Sequence, residues 1–299
     1  MITVFGSINM DLIATTAELP KPGETVPGSS FSTAAGGKGA NQALAATRAG
    51  ARVRMAGAVG SDAFAEPALA LLKDAGTDLS PVLSASEPTG TALILVGDDG
   101  ENMITVIPGA NGTLTADEAV KAVDAMSPGD LLLLQLEIPA AAVEAALRAA
   151  RDKGVTSVLS TAPYTADAAR LAELADIVIA NETEFADLAG CSSATAADRS
   201  DTLRRLHADR EQTFVVTLGA EGVVAIRNRE ILSAPGLVIE PVDTVGAGDT
   251  FCGYLAAGLD QGLDFAQALR RAAVAGSLAC LTRGAQPSIP FAKAVDQAL

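Results

Sequence analysis

The run Val242-Asp243-Thr244-Val245-Gly246-Ala247-Gly248-Asp249-Thr250-Phe251 sets two glycines and an acid where small residues pass straight into a helical pattern. Backbone N–H groups of Gly246, Ala247 and Gly248 can approach an anion closely there, because glycine has no side chain in the way and a helix start carries partial positive charge. An acid beside such an anion site points to phosphoryl transfer. Asp249 takes the proton of an attacking hydroxyl, and the amides stabilise charge gathering on the transferred phosphate. Taken alone, the segment reads equally as an ordinary Gly-rich turn with Asp249 as the helix N-cap.

Other segments of the same kind recur along the chain. Gly36-Gly37-Lys38-Gly39-Ala40-Asn41-Gln42 places glycines around a lysine and ends in amide side chains at a helix start. Asn41 both donates and accepts, which matches the mixed character of sugar hydroxyls. The run is not a P-loop, since GxxxxGK followed by Ser or Thr does not occur, and no GxGxxG follows a strand, which argues against a nicotinamide dehydrogenase. Its plainer reading is a glycine turn with a solvated lysine. Asn9 and Asp11 follow the first strand, and their i, i+2 spacing points both side chains the same way if the backbone stays extended; turn chemistry is the competing account. Glu137 ends another strand ahead of Pro139. Asn181 ends a further one, and Asn181-Glu182-Thr183-Glu184 also has the pattern of a capping box. Thr217-Leu218-Gly219-Ala220-Glu221-Gly222 leaves a strand through two glycines, either beside a nucleotide or as a plain hairpin into Val223 to Arg227.

The elements that position these segments alternate regularly. Strands are predicted at Ile2 to Gly6, Arg52 to Ala58, Asp130 to Gln135, Val155 to Ser160, Ile177 to Ala180 and Thr213 to Leu218. Helices are predicted at Asn41 to Ala49, Phe64 to Ala75, Ala140 to Lys153, Thr183 to Ala189 and Ala247 to Gly262. Such alternation implies an α/β fold with a mainly parallel sheet covered by helices on both faces. All the polar, glycine-rich segments then fall at strand ends, which argues for one active site. Two stretches break the rhythm: Thr15 to Ala35, and Thr89 to Ile107 with an Asp-Gly turn at Asp99-Gly100. Both are too polar for a buried central sheet, so they are expected to form a small exposed sheet acting as a lid.

The chain has 299 residues, about half of them apolar, and 21 Lys plus Arg against 36 Asp plus Glu, a net charge of -15. That charge repels nucleic acid and anionic membrane and favours small-molecule work. Cys191, Cys252 and Cys280 are too scattered for a disulfide framework or a CxxC metal site, which fits a reducing cytoplasm. No apolar run is long enough to cross a bilayer, and the first residues do not read as a signal peptide. His207, the single histidine, leaves no material for a Ser-His triad or a histidine metal site and is expected at the surface.

Together the motifs resemble the ribokinase-like carbohydrate kinase family, of the PfkB type, across essentially the whole chain. The carriers are Gly6 to Asp11, Pro22-Gly23-Glu24-Thr25, Gly36 to Gln42, Pro108-Gly109-Ala110-Asn111, Gln135 to Glu137, Asn181 to Glu184, Thr217 to Gly219, Val242 to Thr250 and Gly284 to Ser288. The resemblance implies a three-layer α/β/α fold in one domain over 1–299, with a small β-sheet lid from about 11–36 and 88–107. It implies transfer of the ATP γ-phosphoryl group to the 5-hydroxyl of D-ribose. Asp249 is then the base, with the anion hole at Gly246, Ala247 and Gly248. Asn9, Asp11, Gly37, Lys38, Asn41 and Glu137 hold the sugar. Asn181, Thr217, Leu218, Gly219, Ala220, Glu221, Gly222 and Gly248 line the nucleotide, and Glu184 acts on Mg2+ through water. Asp243, Val245, Ala279, Thr282, Gly284 and Ser288 match the positions that bind an activating K+. A homodimer clasped through the lid sheets is also implied.

The chain departs from the family at Ser160-Thr161-Ala162-Pro163-Tyr164, where Asn-Pro-Ala-Pro is usual, and at Ala272, which offers no ring near the adenine position. Met10 beside Asp11 leaves room for a related pentose such as deoxyribose, because a methylene-sized change is worth only about 1 to 3 kcal/mol. A sugar or nucleotide sensor on the same fold is the non-catalytic alternative.

Overall fold

The computed structural model describes residues 1–191 and 195–299. Its main sheet has nine strands, β1 Ile2–Phe5, β4 Val53–Val59, β5 Val82–Ser84, β8 Leu131–Leu134, β9 Thr156–Ser160, β10 Ile177–Asn181, β11 Thr213–Thr217, β12 Val223–Arg227 and β13 Glu230–Ala234, in the order β13-β12-β11-β10-β9-β8-β1-β4-β5. Pairing is parallel from β5 to β11 and antiparallel only at the β11-β12-β13 edge. The hairpin after Thr217 that the sequence left open is therefore real, and it closes that edge.

The helices are α1 Lys38–Arg48, α2 Ala65–Ala75, α3 Ala116–Asp124, α4 Ala140–Lys153, α5 Ala168–Ala172, α6 Glu182–Ala189, α7 Ala196–Arg210, α8 Ala247–Asp260, α9 Phe265–Ala279, α10 Ala285–Ser288 and α11 Ala292–Ala298. They form two layers because the strands are apolar on both faces. Leu131 and Leu133 pack into a core shared with α1, α8 and α9, whereas Leu132 and Leu134 pack into a second core with α3 and α4. Ile177 and Ile179 divide from Val178 and Ala180 in the same way. Alternate side chains of a strand point to opposite faces, so an unbroken apolar run is what a two-sided sheet requires. Each fully buried leucine contributes about 1.5–3 kcal/mol relative to an exposed one.

The second sheet has four strands, β2 Asn9–Thr16, β3 Gly28–Gly36, β6 Gly90–Gly97 and β7 Asn102–Ile107, in the order β3-β2-β6-β7. The expected Asp-Gly turn joins β6 to β7, with the Gly97 N–H donating to the Glu101 carbonyl at 2.9 Å. Asn9 and Asp11 belong to β2, in line with the expectation of extended backbone there.

His207 is a correction. It is buried on α7, its Nδ1 lies 2.6 Å from the Gln212 carbonyl, and its Nε2 accepts the Arg229 N–H at 3.0 Å. The polar residues around it suggested a surface position, but the imidazole pins the α7-to-β11 turn to the β12-β13 turn. Ala272 is likewise fully buried, among the residues of the α8 and α9 core, so it presents no face to a nucleotide. Among the described residues no helix is long and apolar enough to cross a membrane.

Candidate active site

Parallel pairing brings the ends of β1, β8, β9, β10 and β11 to one edge: Phe5 lies beside Leu134, Leu134 beside Leu159, and Asn181 beside Thr217. The site is built on that edge. Gly37 turns the chain from β3 into α1 with a φ of 87°, and a Cβ there would lie 2.7 Å from the Asn9 amide nitrogen. Only glycine satisfies both demands. The turn is fixed by Glu137, whose Oε2 accepts from Ser7 Oγ at 2.6 Å and from the Lys38 N–H at 3.1 Å, while Ser7 Oγ accepts from the Gly39 N–H at 3.2 Å. Ser7 belongs to the Gly6 to Asp11 run that carries the family resemblance, but nothing in the sequence marked it as the link between Glu137 and Gly39.

Asp249 sits in the first turn of α8, third after the N-cap Gly246, and is buried to 8% exposure. It is therefore not the N-cap that a plain turn would have made it. Its Oδ2 accepts from Asn41 Nδ2 at 2.9 Å and its Oδ1 from Gln42 Nε2 at 3.0 Å. A carboxylate has about four lone-pair sites, so two remain to take a proton. No side chain caps α8, which leaves first-turn amides for a ligand. Ala247 differs from its neighbours, because its N–H donates to the Thr244 carbonyl at 3.3 Å.

A cleft of about 230 Å³ opens against this turn, lined by Gly246, Gly248, Asp249, Lys38, Asn181, Glu184 and Thr217, together with Ser160, Ala162, Thr244 and Cys252. Of the predicted nucleotide residues, Asn181, Thr217 and Gly248 line it; Leu218, Gly219, Ala220, Glu221 and Gly222 lie along the turn that leads away. The carboxylate of Asp249 first, with Glu137 and Glu184 adding to it, holds the Lys38 ammonium above its ordinary value against the opposing pull of burial. Burial first, and the Asp249 carboxylate next, push the Cys252 thiol far up, so it stays protonated despite lining the cleft.

Of the predicted sugar residues, Lys38 lines the cleft and Asn41 bonds Asp249, while Asn9 and Asp11 stand on β2. Asn9 Oδ1 accepts from Asn111 Nδ2 at 2.7 Å, and Asn111 Oδ1 accepts the Ile8 N–H at 2.9 Å, so Asn111 turns the Asn9 amide nitrogen outward. Burial first, and the Glu137 carboxylate next, push Asp11 up to about 6, with Lys38 pulling the other way. Asn41 Oδ1 is buried with no partner among the described residues.

Glu184 closes a capping box with Asn181: its N–H donates to Asn181 Oδ1 at 2.8 Å, and its Oε2 accepts the Asn181 N–H at 3.0 Å. The same oxygen accepts from Thr161 Oγ1 at 3.1 Å, so Thr161 is buried against the acid. Both bonds that the carboxylate accepts fall on Oε2, which leaves Oε1 free of them. Behind the α8 start, Asp243 joins two loops: Oδ1 accepts the Val245 N–H at 3.0 Å and Oδ2 the Gly284 N–H at 2.8 Å. The Val242 N–H donates to the Cys280 carbonyl at 2.8 Å, and Ser288 Oγ donates to the Ala285 carbonyl at 2.9 Å. These contacts hold Asp243 against Val245 and Gly284 and Ser288 against Ala285; among the described residues no hydrogen bond joins Ala279, Thr282 or Ser288 to Asp243.

The pfkB family carbohydrate kinase model matches residues 1–292. A ribokinase of Haemophilus influenzae is 36% identical over 290 residues, covering 97% of this chain and 95% of the relative. A deoxyribokinase of Salmonella typhi is 31% identical over 291 residues, covering 97% and 95%. The structure of Arabidopsis thaliana ribokinase complexed with ribose and ATP superposes with a TM-score of 0.90 at 33% identity, covering 99% of this chain and 97% of that one. The cleft at the carboxyl edge, the smaller four-stranded sheet and these likenesses agree: the chain belongs to the pfkB family of carbohydrate kinases.

Proposed function

We propose that this chain transfers the γ-phosphoryl group of ATP to the 5-hydroxyl of D-ribose, giving D-ribose 5-phosphate and ADP, as one kinase domain whose lid strands lie in 11–36 and 88–107. The observation that carries the reading is Asp249 itself: a buried carboxylate on an uncapped helix start, held by two amides and facing a cleft that contains Lys38. The ribose oxygen attacks phosphorus as Asp249 takes the hydroxyl proton, the bond from the γ-phosphorus to the bridging oxygen breaks, and its electron pair leaves on ADP. The amides of Gly246 and Gly248, with Ala247 once it turns from Thr244, stabilise the transferring oxygens.

Asn9, Asp11, Gly37, Lys38, Asn41 and Glu137 position the sugar, and the unpaired Asn41 Oδ1 suits a donating hydroxyl. Asn181 and Thr217 to Gly222 take the nucleotide. Glu184 would hold Mg2+ through water, and the oxygens around Asp243 would hold K+; these ions supply charge neutralisation next to the phosphates. The lid leaves Leu93, Met103, Ile104 and Val106 largely exposed, which supports a homodimer built on that sheet. Three free thiols support a cytoplasmic setting.

Asp249→Ala is expected to keep ribose and ATP binding and to lose turnover by orders of magnitude; near-normal turnover rejects the base. The likeness to a deoxyribokinase favours a second reading, a kinase for deoxyribose. Comparing kcat/KM for ribose and 2-deoxyribose separates the two. A sensor on this fold would bind sugar and release no ADP.

A further inference from the structure

We propose that Gln42 and Gln135 are positioning residues for Asp249, forming a buried amide chain with a single hydrogen-bond direction that fixes the carboxylate against the hydroxyl it deprotonates. The inference rests on the reading of Asp249 as the base. An ionised carboxylate only accepts, so the Gln42 side chain must turn its NH2 group to Asp249 Oδ1, which it reaches at 3.0 Å. Its Oε1 then faces inward and needs a donor, and Gln135 Nε2 supplies it at 2.7 Å. Gln135 sits just beyond β8, Gln42 on α1 and Asp249 on α8, so the chain spans three elements.

The order has a consequence at its far end. Gln135 Oε1 is left buried with no partner among the described residues, pressed toward Gly6, where a Cβ would lie 2.0 Å from it. Gln42 is 1% exposed and Gln135 is fully buried, and neither lines the cleft, so both act through Asp249. Stability alone does not explain the pair, because replacing two bonded buried partners by apolar groups of like shape is close to neutral. A chain that stops at an unpaired acceptor makes sense when its purpose is the donor at the other end.

Gln135→Glu keeps the shape and removes the donor. The new acceptor draws the Gln42 NH2 inward and turns Oε1 toward Asp249, so kcat is expected to fall about tenfold or more while Kd for ribose and ATP holds. Gln135→Met removes the donor without supplying an acceptor, and its loss is expected to be smaller, about threefold. Gln42→Met lowers kcat with Kd unchanged, and adding Gln135→Glu to it costs nothing further, as two members of one chain require. If Gln135→Glu fails to fold, Gln42→Met and Gln135→Met, singly and combined, carry the test, with kcat lowered in each and no further in the pair. Equal losses in Gln135→Glu and Gln135→Met, additive losses in the double variant, or a change in Kd in place of kcat overturn the proposal. Asp249→Asn is the control. Full turnover there rejects the base itself, whereas lost turnover there with normal kcat in Gln135→Glu rejects only the positioning chain.

Discussion

Helices α6 and α8 both start at the carboxyl edge of the main sheet and both border the same cleft, yet they treat their first-turn amides differently. In α6, Asn181 accepts from the Glu184 N–H and Glu184 returns the bond, so the helix satisfies itself. In α8 the N-cap is Gly246 and no side chain caps it. The first offers the cleft an acid, and the second offers it donors. Lys38 lies between them, held above its ordinary value by Asp249 on one helix and Glu184 on the other. A closed helix start is a stable support, whereas an open one binds charge, and a kinase cleft needs both within reach of one phosphate.

Filling the open start is the strongest way to break this contrast. Gly248 lines the cleft, and a Cβ built on it meets nothing within 4 Å, so a side chain fits there without a clash. Gly248→Leu is expected to lower kcat/KM for ATP by about 100-fold or more, comparable to the loss of an anion-hole donor. Stability holds or rises by up to about 1 kcal/mol, because leucine is the better helix former. Steady-state kinetics beside urea unfolding checks it. Full activity with the side chain in place would mean that phosphate does not approach α8 there.

The acid that α6 contributes can be compared with the acid on the sugar side. Asp11 is pushed up to about 6, so at pH 7 the free protein holds a carboxylate that burial and Glu137 disfavour. A raised carboxylate pKa means that stability is greatest below its ordinary range, near 4, and is lost as pH rises through about 6. Sugar hydroxyls donate to the ionised form, so binding runs the other way. KM for ribose is expected to climb about tenfold per unit well below pH 6, and Asp11→Asn flattens that climb. Lys38 pulls Asp11 down, so Lys38→Met moves the midpoint upward. A profile unchanged by Asp11→Asn assigns the effect to another group.

Much of this contrast could be read in the sequence, for reasons that differ by residue. Asn181 and Glu184 have the capping spacing, a local code that needs no tertiary knowledge, and the structure closes that box. Gly246 to Asp249 showed a helix start, and the alternation of Leu131 to Leu134 between two cores followed from an uninterrupted apolar run. The Gln135 and Gln42 pair did not show, because its members lie 93 residues apart and bond only once β8 and α1 pack together. Ser7 and Asn111 stand in runs that carry the family resemblance, but their roles were hidden likewise, since each orients a residue distant in sequence. His207 misled because polar neighbours on α7 outweighed a contact from the β12-β13 turn.

The smallest expected effects separate the two duties of α6. Asn181→Ala removes the cap acceptor and is expected to destabilise the protein by about 1 kcal/mol, a drop of about 2–4 °C in Tm. Glutamine serves in a capping box as well as glutamate. Glu184→Gln therefore keeps the bond to the Asn181 N–H and the contact with Thr161 while removing the charge. Its Tm is expected to stay near that of the parent, and the Mg2+ concentration for half-maximal activity to rise about 10-fold, the lower end of the range for loss of one outer-shell partner. Thermal melting and a Mg2+ titration on both variants give four numbers. If Glu184→Gln lowers Tm as Asn181→Ala does and leaves the Mg2+ response alone, Glu184 serves only the cap, and the acid on α6 faces the cleft without acting on what binds there.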